Sequence, residues 1–476
     1  MNYEPFATQD SAFLFFETPN THMHLGGTAI FEAGPLATSE GGIDVDRIRA
    51  RIVSRLHHIP RYRQRVAWIP VQNQPVWVDD DHFNIHYHVR HTSLPRPGDE
   101  EQLKRLSARI MSQQLDRTRP LWEAWIVEGL EGGRFALVTK THHCMADGLA
   151  AVDLLTILLS PLAEDTVDPA PPWRPRPTPT SGELFRDALV RRAAAPVEAA
   201  GRFARALTTP SDFGAELRER AAAVWQTVTA ALPLPADTPL NRPIGPHRRF
   251  DWLTLDLTDV KRVKNRLGGT VNDVVLTTVT GAIGRFLAHR GVALDGLRYR
   301  IVVPVSVRAP EERGPASNRA SGWLMTLPID ERDPKRRHLR VATITAHRKA
   351  SKQALGPEAL LEVVDLAGPL VFSLGVRLTS RLSPYNLIVT NVPGPQVPLY
   401  LLGAPLLGGY PLVPLFENQG VAIAIFSYCG RLFIGLNADW DLVPDVDLLA
   451  LDLRASFDEL RDAAGLAPET ASRASG

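Results

Sequence analysis

The chain has 476 residues, more than one hydrophobic core usually supports, so two domains are expected. Its 53 Lys and Arg against 52 Asp and Glu leave no field that would gather nucleic acid, and that class of partner is set aside. Only Cys144 and Cys429 are present, which argues against a disulfide scaffold and for a reducing, cytoplasmic compartment.

The start, Met1-Asn2-Tyr3-Glu4, lacks a basic segment ahead of an apolar run, so no signal peptide is expected. Residues 7–31 pass through Asp10, Phe13, Glu17, His22-Met23-His24 and Gly26-Gly27 into an apolar strand. An amphipathic helix is predicted over 45–56 and a strand over 66–71. Between them, Arg61, Arg63 and Arg65 can hold a phosphorylated ligand or, more commonly, pair with acidic neighbours. His82, His86, His88 and His91 are crowded, with His86 and His88 on one face if 85–89 is a strand. No further Cys or carboxylate stands at a familiar ligand spacing, so no metal is expected. A helix over 103–115 and Pro120-Leu121-Trp122 lead to a strand over 125–128.

The organising stretch is 134–160. Phe135, Leu137, Thr139, Thr141 and His143 alternate with their neighbours as in a strand, which places His142 and His143 on opposite faces. After Gly148, Leu149, Val152, Leu155 and Leu159 recur at helical spacing, with Asp147 placed to cap the first turn. A His at a strand end can act as a general base toward an attacking hydroxyl, amine or thiol; the bland alternative is a buried His satisfied by backbone. Cys144 invites a nucleophile reading, but strand neighbours face opposite ways and His143 could not easily activate it.

Residues 163–180 hold six prolines and read as a linker or strap. Helices are predicted over 184–206, with a break at Pro196, and over 213–232. Their arginine-flanked apolar face either rests on anionic lipid or covers the gap between domains. Strand and helix then alternate: strand 252–257, helix 259–267, a helix from Thr270 to Gly291 opened by a Thr270/Asp273 capping box, strands 300–307 and 318–329, and a basic helix 334–355. Residues 382–416 contain no charged side chain, yet their seven prolines exclude a membrane-spanning helix and place them inside protein or on a membrane surface. Strands 421–428 and 432–438 precede a final helix over 446–463.

The string His142-His143-Cys144-Met145-Ala146-Asp147-Gly148 matches the signature of acyltransferases similar to chloramphenicol acetyltransferase, including peptide-synthetase condensation domains. With Met23 to Gly27, Pro120-Leu121-Trp122, Asn272-Asp273, Pro304 to Arg308 with Asn318, and Asn391-Val392-Pro393-Gly394-Pro395, the chain resembles bacterial wax ester synthase/diacylglycerol acyltransferases over nearly its full length. The resemblance implies an α/β (α+β sandwich) fold of two chloramphenicol acetyltransferase-like domains, 1–162 and 248–476, joined by a Pro-rich and helical linker, 163–247, with one active site in a tunnel between them. It implies acyl-CoA as co-substrate with no resident cofactor, a diacylglycerol or a lipid alcohol as acceptor, and peripheral contact with the inner membrane face or lipid droplets as an open point.

Within that resemblance, His143 is the general base and His142 a buttress or core group. Asp147 either caps its helix and pairs with Arg308, as the family's usual arrangement implies, or orients His143; Gly148, Arg308 and Asp273 are structural support. Asn272 is a candidate oxyanion donor or a helix cap. Two alternatives stay beside this reading: a condensation-type or polyketide-tailoring acyltransferase using a carrier-protein donor, and a non-catalytic lipid-binding protein. There is no Gly-x-Ser-x-Gly elbow, no His-Glu-x-x-His and no phosphate-cradling Gly-Lys loop.

Overall fold

Period-two alternation makes 24–32 and 134–142 two long strands, and they pair antiparallel with His24 opposite His142. The computed structural model describes residues 2–145, 157–190, 235–306, 320–350 and 384–467. In chain order its strands are β1 (Tyr3–Pro5), β2 (His24–Glu32), β3 (Gln64–Ile69), β4 (Gln74–Asp79), β5 (Val89–Ser93), β6 (Trp122–Leu130), β7 (Arg134–His142), β8 (Arg248–Asp256), β9 (Tyr299–Ser306), β10 (Ala320–Leu327), β11 (Leu387–Pro393), β12 (Tyr400–Leu401), β13 (Ala404–Leu412), β14 (Val421–Tyr428) and β15 (Arg431–Asp439). The helices used below are α1 (Thr8–Phe16), α2 (Val45–Arg55), α3 (Ile85–His88), α4 (Glu100–Met111), α5 (residues 181–190), α6 (Leu257–Leu267), α7 (Val271–His289), α8 (Pro334–Ala350) and α9 (Val446–Ala463).

Two six-stranded sheets result, β12-β13-β2-β7-β6-β5 and β10-β9-β11-β14-β15-β8, beside a small sheet β1-β4-β3. The described part of the uncharged, proline-rich stretch, 384–416, is built into both sheets through β11 and β13, with Val397 exposed between them. Its β13 pairs with β2 of the first sheet, although β11 before it and β14 after it belong to the second. The first sheet, built mainly from the N-terminal third, is therefore completed by residues 400–412. Glycines allow the close approach: a Cβ on Gly435 of β15 would stand 1.9 Å from the Pro411 carbonyl oxygen of β13, and one on Gly27 of β2 would stand 2.6 Å from that of Tyr410. Phe426, Tyr428 and Phe433 of the second sheet share a core with Phe31, Phe135 and Trp122 of the first, so the two halves bury apolar surface against each other.

Local sequence chemistry sets most element ends. The Thr270/Asp273 capping box is formed at the start of α7, and α9 spans 446–463 as predicted. Asp99 and Gln102 form a second box, which starts α4 at Glu100, ahead of the expected 103. Residues 85–88 are helical, so the strand that would set His86 and His88 on one face is not formed there: the Asn84 side chain accepts the His86 N–H at 3.0 Å and turns the chain before β5 can begin. His88 is then a core residue, its Nδ1 2.8 Å from the Trp122 carbonyl oxygen and its ring stacked on Phe83 and Trp122, and burial lowers its pKa to about 4. In the basic segment Arg61 pairs with Glu4 as expected, meets Gln64 and lies over Trp77, whereas Arg63 lies over Trp173 and donates to the Val53 carbonyl.

The 163–180 segment acts as a strap. Asp165 pairs with Arg47, Asp168 with Arg51 and Arg55, and Arg176 with Asp79 and Glu4. Beyond it α5 packs Leu184 and Ala188 on the small sheet. The predicted helices beyond 190, the 213–232 helix and the end of the 334–355 helix lie outside the described residues. Among the described residues, no helix is long and apolar enough to cross a membrane, and no group of three His, Cys, Asp or Glu is placed to hold a metal ion.

Candidate active site

β7 ends at His142, and His143–Met145 forms a turn of 3-10 helix, so His143 leaves the strand at the point where the sequence pattern had kept it in. Three successive N–H groups fix this turn. That of His142 donates to the Leu121 carbonyl at 2.9 Å, that of His143 to the Met23 carbonyl at 2.7 Å, and that of Cys144 to Nδ1 of His142 at 3.1 Å. Two of the motifs read in the sequence thus meet at the third, because Met23 precedes β2 and Leu121 precedes β6, the strands on either side of β7.

The local sequence explains the approach. A Cβ on Gly26 would lie 1.9 Å from the Thr139 carbonyl oxygen, so β2 can press against β7 there only with glycine. Trp122 is buried, and its indole N–H donates to the Tyr62 carbonyl at 2.8 Å, which locks the start of β6. Phe13 of α1 stacks on the His143 ring with centroids 3.7 Å apart and planes 16° apart.

His143 remains partly exposed while Cys144 and Met145 are buried. Desolvation brings the His143 imidazole down from 6.5 to about 4, with a smaller push in the same direction from His142; its own main-chain carbonyl works the other way. The His143 Nδ1 is buried with no hydrogen-bond partner among the described residues. At neutral pH the ring is uncharged, the form a general base needs. The Cys144 thiol is 2% exposed and pushed well above its ordinary range by burial, so thiolate chemistry is disfavoured.

His142 has no exposure, and its Nε2 points to Oε2 of Glu17 at 3.6 Å. The Glu17 carboxylate also faces Nε2 of His24 at 3.6 Å and is clamped by Arg117 at 2.6 and 3.0 Å. Sequence reasoning passed over the roles of Glu17, His24 and Arg117. A carboxylate directly after the apolar run Ala12 to Phe16, five residues before a His-x-His pair, was the available signal.

Asn272 follows the capping residue Thr270 at the start of α7, and Thr270, not Asn272, is the N-cap. The Asn272 Oδ1 accepts from Nδ2 of Asn391 at 3.3 Å, joining two of the motifs; its own amide N–H groups have no acceptor among the described residues. Asp273 is buried; it accepts from the Thr270 N–H at 2.7 Å and from the Thr345 hydroxyl at 2.6 Å, a structural role. Asp147, Gly148, Arg308, Asn318 and the helix expected after Gly148, as far as residue 156, lie outside the described residues.

The family profile for the wax ester synthase/diacylglycerol acyltransferase catalytic domain matches residues 6–275, and that for the WS/DGAT C-terminal domain matches 316–461. A probable diacylglycerol O-acyltransferase of Mycobacterium tuberculosis is 35% identical over 96% of this chain and 98% of its own length; a putative one from the same organism is 33% identical over 97% and 90%. Among solved structures, the wax ester synthase/diacylglycerol acyltransferase of Marinobacter aquaeolei superposes with a TM-score of 0.70 at 25% identity, over 97% of this chain and 100% of that one. A starter condensation domain of rhizomide synthetase superposes at 0.59 with 12% identity, over 98% and 95%, a likeness of fold alone. Full-length sequence likeness and the shared architecture agree: this chain belongs to the wax ester synthase/diacylglycerol acyltransferase family.

Proposed function

We propose that the chain transfers a long-chain acyl group from acyl-CoA to the hydroxyl of a diacylglycerol or a fatty alcohol, with His143 as general base. The observation that carries this reading is the uncharged, partly exposed His143 ring, set by three anchored N–H groups at the end of β7 in a chain similar throughout to named acyltransferases. His143 Nε2 takes the hydroxyl proton as the oxygen attacks the thioester carbonyl. The tetrahedral oxyanion collapses, the C–S bond breaks, and the departing thiolate recovers the proton from the imidazolium. Atoms balance without a covalent enzyme intermediate. Asn272, whose amide N–H groups donate to no acceptor among the described residues, is the proposed donor to the oxyanion.

Diacylglycerol is held in membranes and lipid droplets, and we place the encounter at such a surface. The support is α5, which buries Leu184 and Ala188 while leaving Phe185, Leu189 and Val190 at 41%, 57% and 63% exposure. Cytoplasmic placement rests on the two unpaired cysteines, Cys144 and Cys429. The test is incubation of the purified chain with labelled palmitoyl-CoA and either dioleoylglycerol or hexadecanol, followed by separation of neutral lipids. Labelled triacylglycerol or wax ester is expected. Transfer only from an acylated carrier protein would instead establish the condensation-type alternative.

A further inference from the structure

Helix α1 ends at Phe16, and the Glu17 N–H closes it on the Phe13 carbonyl at 3.2 Å. The helix therefore reaches the site twice, with Phe13 stacked on the His143 ring and Glu17 behind His142. The Glu17 side chain is 3% exposed and His142 and His24 are at 0% and 1%. Burial alone would push the carboxyl pKa up, but His142, His24 and Arg117 outweigh it and bring it to about 2, so the group is an anion at any working pH. Sealing a carboxylate and two imidazoles in a core adds little stability over apolar side chains of equal volume, which points to a role beyond packing.

The hydrogen-bond arrangement supplies that role. His142 Nδ1 accepts the Cys144 N–H, so its ring hydrogen is on Nε2, the nitrogen turned toward Glu17. At 3.6 Å this is an ion–dipole contact, longer than a hydrogen bond, yet both groups are buried and the carboxylate selects the Nε2–H tautomer. The other tautomer would set an N–H against the Cys144 N–H and turn a bare lone pair to the anion. Arg117 fixes the carboxylate from behind, with its Nη2 also donating to the Leu14 carbonyl at 3.0 Å.

We infer that Glu17 is a positioning residue: it holds His142 as the Nε2–H tautomer, so that His142 Nδ1 secures the Cys144 N–H and with it the turn that presents His143. This inference rests on the reading of His143 as the base.

The experiment uses the full chain with palmitoyl-CoA and an acceptor. Glu17→Gln keeps the volume and removes the charge; kcat is expected to fall by up to about 100-fold, the loss that a misplacement of about an ångström causes, with KM values within about twofold. In ¹⁵N-histidine spectra His142 should change from the single Nε2–H tautomer to a mixture. His142→Asn retains an acceptor near the Nδ1 position without a tautomer to select, so Glu17→Gln should cost nothing further in that background. Should Glu17→Gln not fold, Arg117→Met is expected to lower kcat and mix the His142 tautomers in the same way. Equal losses from Glu17→Gln in both backgrounds, or an unchanged His142 spectrum, would overturn the inference. His143→Ala separates the two readings: if it abolishes turnover while Glu17→Gln leaves kcat intact, only the role of Glu17 falls. If His143→Ala stays active, the base reading falls and the positioning role with it.

Discussion

The pKa of His143 is lowered chiefly by burial, and the Phe13 ring at 3.7 Å walls off one face. Phe13→Ala should let water reach that face and return the pKa from about 4 toward the ordinary 6.5. A base works in its neutral form, so the acid limb of kcat/KM should move up by the same interval. At about pH 5.5 a ring of pKa 4 is roughly 97% neutral and one of pKa 6.5 roughly 9%, a tenfold difference between the two enzymes relative to their plateaus at about pH 8. The assay is acyl transfer from palmitoyl-CoA at subsaturating substrate across that range, with circular dichroism to confirm that both proteins stay folded. A wild-type acid limb near 6.5, or a folded Phe13→Ala enzyme whose limb has not moved, would refute the link between stacking, desolvation and the basic ring.

Asp273→Ala removes a helix cap and a buried charged acceptor for Thr345, and should cost about 2–4 kcal/mol in urea unfolding; a loss below about 0.5 kcal/mol would deny the structural role. Gly435→Ala would force its Cβ against the Pro411 carbonyl at 1.9 Å, whereas Gly409 in β13 has nothing within 4 Å. The first variant should lose folded protein or melt well below wild type, and Gly409→Ala should melt close to it. Glu17 has a depressed pKa, so its stabilisation is complete above its ordinary 4.5 and is lost as pH falls toward about 2. Over that window the wild-type Tm should fall more steeply than that of Glu17→Gln, which has no such group to titrate. Asn272→Ala should stay folded and lose about 10²- to 10³-fold in kcat if its amide meets the oxyanion, and unchanged turnover would remove it from the mechanism.

What the sequence made legible were the local codes. The capping box at Thr270 and Asp273 and the 3.6-residue pattern through α9 needed nothing from the rest of the chain, and both elements stand where they were expected. The candidate base was readable because its motif is contiguous. The crossing of β13 into the first sheet was not, since strand partners are chosen by burial and by which glycines let backbones approach, and Gly27, Gly408 and Gly435 look alike in sequence. The Glu17, His24 and His142 cluster escaped for the same reason. Its members lie up to 125 positions apart and are brought together by the β2–β7 register and the end of α1. His143 itself was misplaced by one step: alternation extended the strand through it, while the bonds to Met23 and within His142–Cys144 bend the chain into a turn.

The central claim is that the His143 imidazole removes the acceptor's proton. Its most direct test is kcat for purified, folded His143→Ala with palmitoyl-CoA and dioleoylglycerol or hexadecanol, beside wild type. The account predicts a loss of about 10²- to 10⁴-fold with native circular dichroism and melting; turnover within a few-fold of wild type would contradict it.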